Sequence, residues 1–175
     1  MLRGLNCGSG QRPFSAATTS GVGWINIDIN PKWNPDIVGN WNDLRECGVE
    51  DNTVDYVVSH HSLEHVGCGE GDGFIREAYR VLKPSGSLLV FVPDLRLLAQ
   101  RWLTGQLDTQ LYLTQIYGAY MGHPSDRHAW GYTNSTLKGY LGGFGFSCVV
   151  AFDWRPIAGA DIARDWYICG MEAIK

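Results

Sequence analysis

No stretch of this chain supplies the roughly 18 consecutive apolar residues of a membrane-spanning helix, so a membrane partner is not expected. The opening MLRGLNCGSG lacks the apolar segment of a secretion signal, and a soluble, cytoplasmic protein is the reading that follows. Positive charge is scarce as well. Lys and Arg number 14 against 18 Asp and Glu, for a net charge of −4, and they are scattered singly. A protein that grips nucleic acid through its phosphates carries a basic face, so nucleic acid is not an expected partner either. The five cysteines, Cys7, Cys47, Cys68, Cys148 and Cys169, are odd in number and include no C-x-x-C pair. That excludes a disulfide scaffold and a cysteine-based zinc cluster and leaves buried thiols as their reading. Repeats, low-complexity tracts and linkers are missing, and a chain of 175 residues builds one core. The expectation is a single domain over residues 1–175, with residues 1–94 and 95–175 differing in character.

What is present begins with short apolar runs separated by turns. GLNC reads as a strand, GWINIDI as a second with Ile25, Ile27 and Ile29 alternating, and DIVGN as a weaker third. VDYVVSH and SLLVFVP are near-continuous apolar and β-branched runs, the pattern of central parallel strands covered on both faces. Between them GDGFIREAYRVLKPSG spaces Phe74, Ile75, Ala78, Tyr79 and Leu82 along one helical face, with Asp72 as cap and Pro84 and Gly86 ending it. Strand, helix and strand at this spacing read as a right-handed crossover. Past residue 94, DLRLLAQRWL and TQLYLTQIYGAYM carry helical spacing, the latter placing Leu113, Ile116, Tyr117 and Tyr120 together. NSTLKGYLGGFG reads as a short helix capped by Asn134 or Ser135 and stopped at Gly143 or Gly145. The last strands, FSCVVAFDW and DWYICGMEAI, are separated by RPIAGADIAR, too short for a helical crossover and suited to an antiparallel pair. The expected fold is α/β: a Rossmann-like, doubly wound, mostly parallel seven-stranded sheet with a C-terminal antiparallel strand pair.

In such a sheet, ligands sit beyond the carboxyl ends of the strands. After the first strand stand Gly8, Ser9 and Gly10, where backbone N–H groups can approach a ligand closely. After the second comes Asp28, twenty positions beyond Gly8 and placed to accept both hydroxyls of an adenosine ribose. After the third comes WNDLREC, with Asp43 placed to accept from an adenine amino group and Leu44 against the ring. Each has a plainer reading, Asp28 as an Asx-turn residue and Asp43 as a turn cap. A dinucleotide fold asks for G-x-G-x-x-G, whose third glycine packs a helix that faces a pyrophosphate. Pro13 stands in that place, and RPFSAATTSGVG has few apolar residues at helical spacing. The first crossover helix is therefore short or absent, and a cofactor without phosphate suits the turn better.

LNCGSG, GWINIDINP, DLRECGVEDNTVDYVVSHHSLEHV and FIREAYRVLKPSGSLLVFVPD, in that order over the first 94 residues, resemble the motifs of class I S-adenosylmethionine-dependent methyltransferases. The likeness is greatest to the small, type 11-like branch with a short first crossover, and LEHV followed by E-x-x-R-V-L-K-P-x-G is its most specific part. HAWGYTNSTLKGYLGGFGF is similar to the family's lead into its sixth strand. The resemblance implies S-adenosylmethionine as cofactor. It implies Gly8 and Gly10 along the methionine part with Ser9 between them, Asp28 on the ribose with Ile29 beside it, Asp43 and Leu44 at the adenine, and Ser59 and His60 beside the sulfonium. Where many members carry an acidic residue, this chain has Asn6, which keeps hydrogen-bonding ability, loses the charge and implies weaker cofactor affinity.

A sulfonium already makes its methyl group electrophilic, so the protein has chiefly to bring a nucleophile in line at about 3 Å and exclude water. A hydroxyl nucleophile also asks for a base. His60, His61 and His65 follow the fourth strand, while His123 and His128 lie in GHPSDRHAW, a segment placed to fold over the mouth. His61 and His128 are the catalytic candidates. His65 reads as packing locally, Glu64 as a helix-start carboxylate, and Tyr120, Trp130 and Tyr132 as core in preference to the lining of a substrate pocket. No second cluster of metal-ligand spacing accompanies the histidines, so no metal is expected. SHHSLEH stands where methyltransferases of exocyclic amines in nucleic acids or proteins carry Asn-Pro-Pro-aromatic. The expected function is methyl transfer to an oxygen or nitrogen of a small molecule, such as a saccharide or other metabolite. A non-catalytic S-adenosylmethionine-binding or regulatory protein is the alternative, and an NAD(P)-dependent oxidoreductase is disfavoured by Pro13 and the terminal strand pair.

Overall fold

The computed structural model describes residues 1–15, 21–119, 122–153 and 167–175. Its strands are β1 (Leu2–Cys7), β2 (Val22–Asp28), β3 (Ile37–Val38), β4 (Val54–His60), β5 (Leu82–Pro93), β6 (Cys148–Ala151) and β7 (Ile168–Ile174). They form one seven-stranded sheet in the order β3-β2-β1-β4-β5-β7-β6. The first five are parallel, and β7 pairs antiparallel with both β5 and β6. β1 is flanked by β2 on one side and β4 on the other. Strand order therefore reverses at β1 and β4, and the crevice outside their carboxyl ends is where such a sheet holds a ligand.

The apolar runs bury as their patterns demand. Leu5, Cys7, Val57, Val90 and Val92 pack on one face against Phe74, Ile75, Ala78 and Val81 of α1 (Asp72–Val81) and Leu137 and Leu141 of α4 (Asn134–Gly142). The other face gathers Phe14, Val58, Leu89 and Phe91. Each such side chain contributes about 1.5–3 kcal/mol by leaving water. Between these helices lie α2 (Leu95–Leu103), capped by the Asp94 carboxylate, and α3 (Thr109–Tyr117), capped by that of Asp108.

Local details depart from the sequence reading. Asp72 is the first residue of α1 and caps nothing: its carboxylate accepts from the Tyr140 hydroxyl at 2.8 Å and ties α1 to α4. Leu82 opens β5 directly after α1 rather than closing the helix. α4 is capped by Thr133, whose hydroxyl exchanges bonds with Thr136 in a capping box, not by Asn134 or Ser135. α3 leaves Leu113 and Tyr117 exposed, because Tyr112 turns instead to stack on Trp102 of α2 with ring centroids 4.7 Å apart. Tyr132 is core, as read, but Trp130 is exposed. Cys7 and Cys169 are buried thiols, Cys47 is half-buried, and Cys68 and Cys148 are exposed. No helix among the described residues separates β1 from β2. None among them is long and apolar enough to cross a membrane. Tyr120 and the loop RPIAGADIAR lie outside the described residues.

Candidate active site

A cleft of about 580 Å³ opens outside the carboxyl ends of β1, β2 and β4. Its floor is the turn after β1. Gly8 and Gly10 adopt φ of +73° and +50°, left-handed values that favour glycine. Gly8 is also pressed against Ser62, whose hydroxyl donates to Gly8 O at 2.9 Å. A Cβ built on Gly8 would stand 2.5 Å from Ser62 Oγ, whereas one on Gly10 meets nothing within 4 Å and points into open space. The Asp28 carboxylate accepts from Gly10 N and Asn30 N, each at 2.8 Å, and lines the cleft. One backbone bond on each oxygen leaves further lone pairs for a ligand, so the turn-forming and ligand-facing readings of Asp28 coexist. Asn6, Ser9 and Ile29 line the cleft too, and the buried Ser9 hydroxyl makes no hydrogen bond among the described residues.

Asn40, Trp41 and Asn42 form a second wall. Trp41 stacks on Phe74 with ring centroids 4.6 Å apart. Asn42 Oδ1 is buried without a hydrogen-bond partner among the described residues. Asp43 and Leu44 do not line this cleft: Leu44 is sealed in the core, and the exposed Asp43 carboxylate accepts from Glu46 N at 3.1 Å. A turn at Trp41–Asp43 swings the chain so that the residues facing the cleft precede the two expected from sequence. Ser59, fully buried in β4, also lies off the lining, while His60 is on it.

Beyond β4 the cleft becomes polar. Burial first, with the neighbouring His61 and Arg12 adding to it, pushes the His60 pKa down to about 3 despite Glu64 nearby, so His60 is neutral. His61 adopts φ of +54°, an uncommon conformation for a residue with a side chain and one that gathers at functional sites. Its Nδ1 donates to Glu64 Oε1 at 3.1 Å. Glu64 is only 1 % exposed. Burial raises its pKa, but the His61 hydrogen bond and the neighbouring His61, His65 and His128 outweigh that and hold it below the ordinary value. Its main-chain oxygen accepts from Ala129 N and Trp130 N, which brings the segment after Arg127 over the cleft. His128 thereby stands with Nε2 4.0 Å from Glu64 Oε1. Burial lowers the His128 pKa, more than Glu64 and the Gln115 carbonyl raise it. His65 also lines the cleft, whereas His123 caps the short turn Pro124–Asp126. Thus His61 and His128 both line the cleft, and Glu64 lies beside both, a placement its position in LEHV did not disclose.

Residues 5–90 match the family model described as a methyltransferase domain. This match and the fold support a class I S-adenosylmethionine-dependent methyltransferase. The fold of this methyltransferase is similar to that of an S-adenosylmethionine-dependent methyltransferase from Archaeoglobus fulgidus, with a TM-score of 0.63 and 17% identity over 99% of this chain and 86% of that one. A possible histamine N-methyltransferase from Thermotoga maritima gives 0.60 and 15% over 100% and 83%. The 1,6-didemethyltoxoflavin N1-methyltransferase of Burkholderia thailandensis, solved with 1,6-didemethyltoxoflavin and S-adenosylhomocysteine, gives 0.60 and 15% over 99% and 70%. No curated protein sequence matches the methyltransferase. The cofactor of the methyltransferase is S-adenosylmethionine.

Proposed function

We propose that this methyltransferase moves the methyl group of S-adenosylmethionine onto an oxygen or nitrogen of a small molecule seated in the histidine-lined half of the cleft. The observation that carries the reading is the 3.1 Å hydrogen bond from His61, on the same cleft as Asp28 and the Gly8–Gly10 turn, to the buried Glu64 carboxylate behind it.

The cleft fits the cofactor. Gly10 leaves open space where a side chain would intrude, Asp28 retains lone pairs, and the buried Ser9 Oγ and Asn42 Oδ1 are the kind of polar atoms that a ligand completes. Asn6, Gly8, Ser9 and Gly10 would hold the methionine part, Asp28 and Ile29 the ribose, and His60 would stand beside the sulfonium. Asn42 would accept from the adenine amino group with Trp41 at the ring, in place of Asp43 and Leu44. When bound, the cofactor supplies an electrophilic methyl group and a neutral thioether leaving group.

With Nδ1–H committed to Glu64, His61 presents the lone pair of Nε2. It accepts the hydrogen bond and then the proton of the acceptor O–H or N–H, and the Glu64 carboxylate stabilises the resulting imidazolium. Thr114, Gln115, Ser125 and Asp126 on the same cleft support a polar, hydroxyl-bearing metabolite. A net charge of −4 supports a small-molecule partner rather than nucleic acid or an anionic membrane.

Labelled methyl transfer from S-adenosylmethionine into a metabolite extract tests this reading. Label is expected in the small-molecule fraction. His61→Ala should lower transfer by about 10²–10⁴-fold while S-adenosylhomocysteine binds as tightly as before. Label confined to protein or nucleic acid, or none at all despite bound cofactor, would sink it.

A further inference from the structure

We propose that Glu64, His65 and His128 form a binding site for a divalent transition-metal ion at the acceptor end of the cleft. One donor atom from each of the three lies within 4.8 Å of the others, although His128 is 63 positions from His65 in the chain. Both imidazoles are held in one orientation by main-chain carbonyls. His65 Nδ1 is 3.1 Å from Arg127 O, and His128 Nδ1 is 2.9 Å from Gln115 O. A carbonyl oxygen only accepts, so each Nδ1 carries a proton and each neutral ring keeps its lone pair on Nε2. An outer hydrogen bond of this kind is what orients metal-binding histidines and fixes their tautomer.

The lone pair of His128 Nε2 therefore faces Glu64 Oε1 across 4.0 Å, acceptor against acceptor. Glu64 Oε1 takes the His61 proton, but Oε2 is buried and makes no hydrogen bond among the described residues. A buried carboxylate oxygen left so is costly. A cation among the three donors satisfies Oε2 and turns the facing lone pairs into ligands. Two imidazoles and a carboxylate select zinc, cobalt, nickel or ferrous iron over magnesium or calcium, which prefer oxygen. Donors on one such ion stand about 3.4 Å apart in a tetrahedron, so the widest pair closes by roughly 1.4 Å on loading, within reach of side-chain rotation.

Three protein donors leave a fourth position open, as in catalytic rather than structural sites. His65 and His128 both line the cleft, so that position faces the acceptor pocket. There it takes an oxygen of the methyl acceptor and makes its proton easier to remove. This last step rests on the methyl-transfer reading above; the metal site does not.

Titration of the full-length chain with Co²⁺ alone tests the site. Visible ligand-field bands should saturate at one ion per chain and change on adding acetohydroxamate, a bidentate oxygen donor. His65→Ala and His128→Ala should each weaken Co²⁺ by about 100-fold or more, with the affinity for S-adenosylhomocysteine unchanged as the control for folding. Should either alanine variant fail to fold, His65→Gln serves in its place. Bands that never saturate, or variants that bind Co²⁺ as the wild type does, would overturn the site. Bands indifferent to acetohydroxamate would overturn its open position. Methyl transfer that persists without Co²⁺ binding would remove the metal and leave the proposed function standing.

Discussion

Asn6 Nδ2 donates to Asn26 Oδ1 at 3.0 Å, a buried bond between side chains of the neighbouring strands β1 and β2. Its direction is forced. Asn26 Oδ1 also accepts from Phe14 N at 2.7 Å, while Asn26 Nδ2 donates to Phe14 O and Asp36 Oδ2. Asn6 must therefore be the donor, and its amide also reaches Arg12 O at 3.3 Å. The amide thus ties both β2 and the chain after the glycine turn to β1, a task for which a carboxylate has no proton. Asn6→Asp should set oxygen against oxygen in a buried place and lower stability by about 1–3 kcal/mol. At about 2–4 °C per kcal/mol for a chain of this size, the thermal midpoint should fall measurably. An unchanged midpoint would remove the argument that position 6 must donate.

Gly8 and Gly10 should respond differently to the same substitution. Both have positive φ, so alanine at either carries the left-handed strain of about 1 kcal/mol or more. Only at Gly8 does the new Cβ meet Ser62, 2.5 Å from Oγ and 2.6 Å from Cβ. Ser62 would have to leave its bonds to Gly8 O and His60 O. Urea unfolding is expected to show Gly8→Ala losing about 2–4 kcal/mol and Gly10→Ala roughly half of that, with Ser62→Gly restoring part of the Gly8→Ala loss. The reverse ranking would mean that the turn is set by something other than the Ser62 contact.

Asp28 is fixed by two backbone N–H groups before any ligand arrives. Asn in its place can accept on one oxygen only, so one of Gly10 N and Asn30 N loses its partner and the charge proposed to face the ribose disappears. Hydrogen bonds to a charged group are worth about 1.5–3 kcal/mol. Asp28→Asn should accordingly weaken S-adenosylhomocysteine by about 10-fold or more in calorimetry. Affinity within a factor of about two of the wild type would place the ribose elsewhere.

Strand patterns were readable because burial on both faces demands apolar runs: VDYVVSH and SLLVFVP sit at the centre of the sheet as β4 and β5. The glycine turn and Asp28 were readable because each immediately follows a strand, where topology alone fixes the crevice. What sequence hid depends on contacts between distant segments. Glu64 looks like any helix-start carboxylate until Ala129 N and Trp130 N close onto its carbonyl and bring His128 beside it. Trp41 and Asn42, not Asp43 and Leu44, line the cleft because a single tight turn rotates the face by a residue or two, below what spacing resolves. The cap at Thr133 was missed for a similar reason: Thr133, Asn134 and Ser135 are all capping types, and only the backbone geometry chooses among them.

The wall that carries Trp41 and Asn42 is anchored from behind by Glu77 of α1. Glu77 Oε2 accepts from Leu44 N at 2.9 Å, and its two oxygens take Arg80 Nε at 2.7 Å and Nη2 at 2.6 Å. Arg80 in turn reaches Val49 O at 3.2 Å and Asp51 at 2.6 Å. The Arg80 hydrogen bonds hold the Glu77 pKa below the ordinary glutamate value, against the opposing effect of burial. A carboxylate with a depressed folded pKa adds stability that is fully present at neutral pH. That stability starts to fade near the ordinary value of about 4.3 and is lost as the pH falls through the folded pKa. Glu77→Gln keeps the shape and removes the charge. It should lower stability at neutral pH by about 1.5–3 kcal/mol, and the difference from the wild type should shrink at about pH 3 as the wild type loses the same contribution. Because Leu44 N would lose its charged acceptor, the variant should also bind S-adenosylhomocysteine more weakly. Urea unfolding at the two pH values, with calorimetry at the higher, separates the cases. A difference that stays constant with pH would show that Glu77 works through packing and not through its charge.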